Sequence, residues 1–182
     1  MKQVKKVSER TRALTGGALV AALSLGGFGA YSASAAQAEA KTDAKNKNTT
    51  QSTHLTIDAA TKAAQTALDA AKKENQRVTV AVVDRNGNTI VTLRGDGAGP
   101  QSYEAAQRKA YTAVSWNAPT SVLAGRLAQT PTLKDIPGTL FLGGGAPVTS
   151  KNAPIAGIGV AGAPSGDLDE KFAQAGVAAL NK

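Results

Sequence analysis

Cysteine is absent from this 182-residue chain, and histidine, methionine and tryptophan each occur once. The absence of cysteine excludes disulfide bonds, thiol catalysis and thiolate metal sites. The only methionine is Met1 and the only histidine is His54, so few of the softer ligands for transition metals are available. Because His54 lies in a polar N-terminal stretch, no Ser-His-Asp triad is evident.

The first 38 residues have the pattern of a secretory signal peptide. A basic segment with five lysines and arginines precedes an uncharged apolar run over residues 13–30, and small residues follow at 33–38. An uncleaved membrane anchor is the alternative, but the apolar run is short for a spanning helix and is interrupted by glycine. We therefore expect a secreted, extracellular protein, and association with the cell surface is the alternative. The sequence leaves the export route open.

Residues 39–53 are polar and lysine-rich without apolar periodicity, which predicts a disordered spacer. The remaining residues, 54–182, are long enough for one domain. Loss of residues 1–38, which carry five basic residues and one glutamate, would lower the net charge from +8 to +4. No aromatic-basic stacking pattern accompanies that charge, so we expect no nucleic-acid partner.

The apolar pattern predicts helices over residues 55–76, 102–116, about 120–129 and 168–180. Strands are predicted at 78–83, 89–94, 139–142, around Val148 and at 155–161, and Asn86-Gly87 predicts a hairpin turn between the first two. This order predicts an α/β fold of the α+β type, an antiparallel five-stranded sheet with helices on its faces.

Glycine is concentrated between residues 143 and 162. The triplet Gly143, Gly144 and Gly145 and the alternation Gly157-Ile158-Gly159 predict a crowded surface against a helix, a subunit or a flat ligand. The spacing of a dinucleotide fingerprint occurs at 157–162, but Pro164 follows instead of a helix, so that function is rejected.

Several segments together resemble the GlcG-like family of haem-binding or haem-degrading domains. They are residues 82–87, 93–98, 106–113, 143–147, 157–162 and 167–170. The signal sequence makes the chain more similar to secreted, haem-binding members that accompany a membrane sensor histidine kinase. The resemblance implies a profilin-like fold, a ring-like homo-oligomer (an octamer), and haem or iron as ligands.

Candidate haem-binding residues follow from that resemblance and from the usual axial ligands of haem iron. Each has a simpler interpretation as well: a solvated histidine at the end of the spacer, tyrosines packed in a core or interface, and a threonine that caps a strand. The candidates are Thr139, His54, Phe141, Tyr111, Gly143, Gly144 and Gly145.

Iron is the second expected ligand, because hard cations prefer carboxylate oxygens. Asp167, Asp169 and Glu170 lie within one predicted helical turn, and Glu104 and His54 are further candidates. The alternative is a capping box in which Asp167 caps the last helix and Glu170 reaches back to it.

These features favour a secreted haem- and iron-binding protein that modulates a membrane sensor kinase. The alternative is an enzyme or enzyme accessory in haem degradation or in the metabolism of small 2-hydroxy acids. A purely structural oligomer, in which the glycines serve only subunit contacts, is the third reading.

Overall fold

Four α-helices and four β-strands form the regular structure of residues 43–181, the part of the chain that the computed structural model describes. The predicted signal peptide, and the first residues of the predicted spacer, lie outside the described residues and stay predictions. In chain order the elements are α1 (Ile57–Lys73), β1 (Thr79–Asp84), β2 (Thr89–Arg94), α2 (Gln101–Trp116), α3 (Thr120–Gly125), β3 (Gly145–Ser150), β4 (Ala153–Ala161) and α4 (Gly166–Ala178).

The strands form one antiparallel sheet in the order β2-β1-β4-β3. The predicted α+β class is confirmed, but the prediction of five strands is wrong because residues 139–142 are irregular. The predicted hairpin is present. In its turn, Asp84 Oδ1 accepts hydrogen bonds from the N–H groups of Asn86 and Asn88, both at 2.8 Å.

One face of the sheet carries the larger core. Val80 and Val82 of β1 and Ile158 and Val160 of β4 are fully buried there against α1 and α4, which contribute Phe172 and a row of alanines. The alanine-rich side of α1 brings that helix close to the sheet, so most of the apolar burial that stabilises the fold lies on this side.

The opposite face of the sheet carries α2 alone among the long helices, and glycine makes this packing close. Gly157 and Gly159 point toward α2, and a Cβ at either position would fall on the carbonyl oxygens of Ala110 and Ala106. Of the three surfaces that the glycine pattern predicts, these two residues form the one against a helix. A side chain here would push α2 off the sheet.

Helix ends differ in part from the prediction. Helix α1 begins two residues later than predicted, and Thr56 caps it, since its Oγ1 accepts from the Ala59 N–H at 3.2 Å. Helix α2 begins at Gln101, one residue before the predicted start, and the Ser102 hydroxyl donates to the Gly99 carbonyl at 2.6 Å. The third helix ends at Gly125 and continues as a 3₁₀ turn, Arg126–Ala128.

Within residues 43–181, no helix has the length and apolar character needed to cross a membrane.

Candidate functional site: the outer face of helix α2

Helix α2 presents two different faces. Its inner face (Ala106, Lys109, Ala110 and Ala113) is buried against the sheet. Its outer face (Glu104, Gln107, Arg108 and Tyr111) is exposed or half-buried. The outer residues follow the spacing i, i+3, i+4, i+7, which places them along one stripe of a helix. Stripe residues share their surroundings with Gly138 and Leu140, the two neighbours of Thr139.

Two recesses flank this outer face. The first, of about 210 Å³, is called the hairpin recess and is lined by Val83, Gly87, Thr89, Gln107, Arg108, Tyr111 and Gly138. The second, of about 190 Å³, is called the loop recess and is lined by Gln101, Glu104, Ala105, Arg108 and Leu140. Pockets for small organic ligands are usually about 300–1,000 Å³, so a large planar ligand would extend beyond either recess or be covered from another side.

Tyr111 forms part of the wall of the hairpin recess. A Cβ at Gly87 would lie 2.9 Å from Tyr111 Cε2, and a Cβ at Gly138 would lie 3.7 Å from Cε1. The ring is therefore placed between the β1–β2 turn and the turn that precedes Thr139. Both glycines have positive φ, 88° and 78°, so both the backbone conformation and the contact favour glycine at these positions.

Thr139 adjoins both recesses in sequence but lines neither of them. It is only 6% exposed, and its hydroxyl donates to the Ile136 carbonyl at 2.7 Å. Its neighbours do the lining: Gly138 on the hairpin side and Leu140 on the loop side. As a contact to haem, Thr139 stays a prediction, and it requires that the hydroxyl leave its present acceptor.

The irregular segment before β3, together with the first residue of that strand, is held by side chains from three helices. The Leu140 N–H donates to Thr112 Oγ1 at 2.8 Å, and the Gly145 N–H donates to Thr120 Oγ1 at 2.7 Å. Between them, the Gly144 N–H donates to Glu170 Oε2 at 3.3 Å. These bonds satisfy buried or partly buried N–H groups that a strand would satisfy through its ladder, and residues 139–142 remain irregular.

The other predicted haem contacts are placed in packed surroundings. Phe141 is 7% exposed and packs edge-on against Trp116, with ring centroids 5.2 Å apart. The triplet Gly143, Gly144 and Gly145 is buried and lines neither recess. Gly144 has a φ of 128°, and a Cβ there would lie 2.7 Å from Lys109 Nζ. As haem contacts these residues stay predictions, and their visible role is packing.

His54 lies beside the β1–β2 turn. Its Nδ1 is 3.8 Å from Asp84 Oδ2, and its Nε2 is 2.7 Å from Ser52 Oγ. Burial alone would raise the pKa of Asp84, but the hydrogen bonds from Asn88 and Asn86 and the nearby imidazole together lower it. His54 therefore borders the same turn as Gly87 of the hairpin recess, although it does not line that recess.

As an iron site the carboxylate cluster on α4 stays a prediction, but two of its members point into the protein. Asp169 pairs with Lys109, with Nζ and Oδ2 2.8 Å apart and both side chains about 97% buried. Burial raises the pKa of Asp169, against the opposing effects of Lys109 and the Ala163 and Gly162 N–H groups.

Glu170 is also hydrogen-bonded inside the protein, so the predicted capping box is wrong. It accepts from the Ser121 N–H at 2.9 Å and the Ser121 hydroxyl at 2.6 Å. Ser165 caps α4 instead, accepting from the Leu168 N–H at 3.2 Å, and Asp167 is left exposed. Glu104 pairs with Arg108 at 2.9 Å. Within the described part of the chain, no three His, Asp or Glu side chains are grouped to hold a metal ion.

The sequence reasoning missed Gln107, Arg108 and Thr112 as residues of the site. The outward stripe on α2 was a usable signal for the first two. Buried Lys109 also had a usable signal, because a lysine among alanines at helical spacing indicates a buried charge that needs a partner. Nothing local signals that Thr112 bonds a peptide group 28 residues away.

Two larger cavities lie outside this site. One of about 290 Å³, at the C-terminal end of α1, is lined by Lys72, Arg77 and Asp96 among others. Another of about 460 Å³ lies between α1 and α4 and is lined by Asp69, Lys73 and Glu74 and by small residues. Neither has an aromatic side chain in its lining, so a planar aromatic ligand would find fewer stacking contacts there.

Comparison with known proteins places this fold in a recognised group. A family model described as "Haem degrading protein HbpS-like" matches residues 55–178. A crystal structure of a double mutant of Streptomyces reticuli HbpS is 73% identical, with a TM-score of 0.76, and the match covers 78% of this chain and 97% of that chain. A structure titled HbpS is 74% identical over 75% of this chain and 97% of that one, with a TM-score of 0.75.

A more distant structure, the PduOC:Heme complex, is 27% identical with a TM-score of 0.65 and covers 71% of this chain and 96% of that chain. A search of curated proteins found no match. The family match spans well over half of the chain and includes every element from α1 to α4. The chain therefore belongs to the HbpS-like family of haem-degrading proteins.

Proposed function

We propose that the protein binds haem on the outer face of α2, with the ligand resting across the two recesses. The observation that supports this most is the arrangement of Tyr111 and Arg108. An aromatic side chain borders one recess, and an arginine lines both. One solved relative at 27% identity is a haem complex.

The residues of this face fit a haem in chemical type. Tyrosine is one of the side chains that bind haem iron, and the described tyrosines are Tyr103 and Tyr111. Arginine suits carboxylates such as the haem propionates. Because each recess is smaller than a usual ligand pocket, we expect shallow, moderate-affinity binding, with part of the haem covered by another subunit.

We further propose that the protein works as a homo-oligomer. Tyr103, Val122 and Leu142 are 48–56% exposed, and a subunit interface would cover such side chains. An octamer is the assembly we expect from the sequence resemblance. Light scattering coupled to size exclusion tests it: a mass of eight subunits agrees with this proposal, and a monomer contradicts it.

Secretion, iron binding and modulation of a membrane sensor histidine kinase complete the proposal. The N-terminal signal pattern supports secretion, and the sequence resemblance supports the kinase. Since Asp169 and Glu170 are engaged internally, iron would be held elsewhere, and Glu104 is the exposed carboxylate of the outer face. Kinase autophosphorylation, measured with and without the haem-loaded protein, tests the signalling role.

Titration of hemin into the purified protein, followed at the Soret band, tests the main proposal. Saturable binding at micromolar protein is expected. We expect Tyr111→Phe to change the spectrum or the affinity, whereas Tyr103→Phe, on the same helix but outside both recesses, should not. Variants His54→Ala and Thr139→Ala test the two remaining polar candidates. A titration without saturation contradicts haem binding.

The family description favours one further candidate, haem degradation. It is tested by incubating the hemin-loaded protein with a reductant in air and following the Soret absorbance. A steady loss of absorbance with excess hemin indicates turnover. A stable stoichiometric complex indicates a binding protein.

A further inference from the structure

Arg108 is the one cationic side chain that lines either recess of the outer face, and it lines both. The two recesses differ in their other walls. Val83 and Tyr111 lie on the hairpin side, whereas Ala105 and Leu140 lie on the loop side. A ligand that fills either recess, or spans both, therefore meets apolar surface together with the same positive charge.

The Arg108 guanidinium can exchange its present partner, Glu104, for a carboxylate of a ligand. In its ion pair with Glu104, Arg108 Nη2 lies 2.9 Å from Glu104 Oε1, and the side chains of Arg108 and Glu104 are 48% and 68% exposed. An exposed i,i+4 pair of this kind contributes little to stability, because both charges are well solvated. An incoming carboxylate can therefore replace Glu104 at little cost.

The chemistry of this position selects one class of group. A guanidinium offers parallel N–H donors that match both oxygens of a carboxylate. Buried Lys109, the next residue, is already bound to Asp169 and the Val160 carbonyl, so it does not compete. Gln101 and Gln107 add neutral amides at the two sides. The face is thus suited to a planar apolar ligand that carries a carboxylate at its edge.

We infer that Arg108 anchors a propionate carboxylate of the haem and so fixes the orientation of the ring on α2, an inference that rests on the haem binding proposed above. Glu104 is then the competing anion. Neutralising Glu104 should therefore strengthen binding, while neutralising Arg108 should weaken it. A general loss of structure would not produce effects of opposite sign.

The test compares hemin with hemin dimethyl ester, in which both propionates are neutral. We expect Arg108→Gln to raise the Kd for hemin about tenfold, as loss of a charge-assisted hydrogen bond does. Arg108→Lys should lose less, and Glu104→Gln should lower the Kd. The ester should bind the wild type and Arg108→Gln equally. Arg126→Gln, an exposed arginine outside both recesses, is the matched control and should behave as the wild type.

The possible failures are distinct. If the wild-type protein shows no saturable binding of hemin, both the proposed function and this inference are overturned. If the wild type binds hemin but Arg108→Gln binds it equally well, only the inference is overturned. Equal losses for hemin and its ester in Arg108→Gln also overturn it, because the effect would then not involve the carboxylate. Thermal melting of each variant checks that the fold is retained.

Discussion

The two faces of α2 use the same helix for opposite purposes. On the inner face, alanines meet the glycines of β4 so closely that no added atom fits. On the outer face, longer side chains border open recesses on either side of Arg108. Residues on the inner face are therefore constrained by space and buried charge. On the outer face the proposed ligand, rather than close packing, sets the requirement, so substitutions there should change affinity with little effect on stability.

Removing the buried lysine should destabilise the inner face most. Lys109→Met leaves the Asp169 carboxylate about 97% buried without its partner, and loss of one member of a buried pair costs about 3–5 kcal/mol. Urea denaturation measures this free energy of unfolding. Adding Asp169→Asn should recover part of the loss, since the amide can still accept from the Ala163 N–H. Equal stability of wild type and Lys109→Met would contradict the account.

The next effect concerns the close contact between β4 and α2. Gly159→Ala places a methyl group on the Ala106 carbonyl oxygen, and overpacking of this kind costs about 1–3 kcal/mol. Gly125→Ala is the control, because nothing lies within 4 Å of its Cβ position and its backbone is helical. That variant should be neutral or slightly more stable. A similar urea midpoint for both variants would contradict the claim that Gly159 has no room for a side chain.

A smaller loss of stability should follow when the Thr112 hydroxyl, which joins α2 to Leu140, is removed. Thr112→Val keeps the shape of the side chain but leaves the partly buried Leu140 N–H without its acceptor, at a cost of about 1–2 kcal/mol. Thr112→Ser keeps the hydroxyl. It should therefore be more stable than Thr112→Val and should bind hemin more tightly than Thr112→Val. If Val and Ser variants melt at the same temperature, the hydrogen bond does not hold this segment.

The smallest of these effects is dependent on pH and lies at the turn beside the hairpin recess. Because the pKa of Asp84 is below its ordinary value of 3.8 in the folded protein, its contribution to stability is present above that value and is lost as the pH falls through the folded pKa. Asp84→Asn should therefore be less stable than the wild type at about pH 7, and the difference should shrink toward about pH 3. A difference that grows on acidification contradicts the assignment.

Local sequence signals predicted the helices, the hairpin and the strand over 155–161, because periodicity and the Asn-Gly turn act over a few residues. They failed where distant side chains decide. Residues 139–142 resemble a strand, yet hydroxyls and a carboxylate 25–28 residues away take up the nearby N–H groups. Strand β3 begins with Gly145 and contains Pro147, both poor strand formers. Proline is tolerated there because β3 lies at the edge of the sheet.

The candidate site shows the same limit. The sequence named Tyr111 and Thr139 as candidate haem contacts, which stay predictions, and it assigned Asp169 and Glu170 to iron. Acidic residues at the start of a helix look alike in sequence whether they face solvent or the interior. Here Lys109 and Ser121, 60 and 49 residues away, decide that they face inward.

Hydrogen exchange with and without hemin tests most directly whether the outer face of α2 is the binding surface. The account predicts slower exchange on hemin binding at residues 85–89 and 136–142, the two segments that border the recesses, with no change at 74–77 and 95–97. Those control segments border the larger cationic cavity at the end of α1. Protection of 74–77 and 95–97, with none at 85–89 and 136–142, would contradict the account and place the ligand in that cavity.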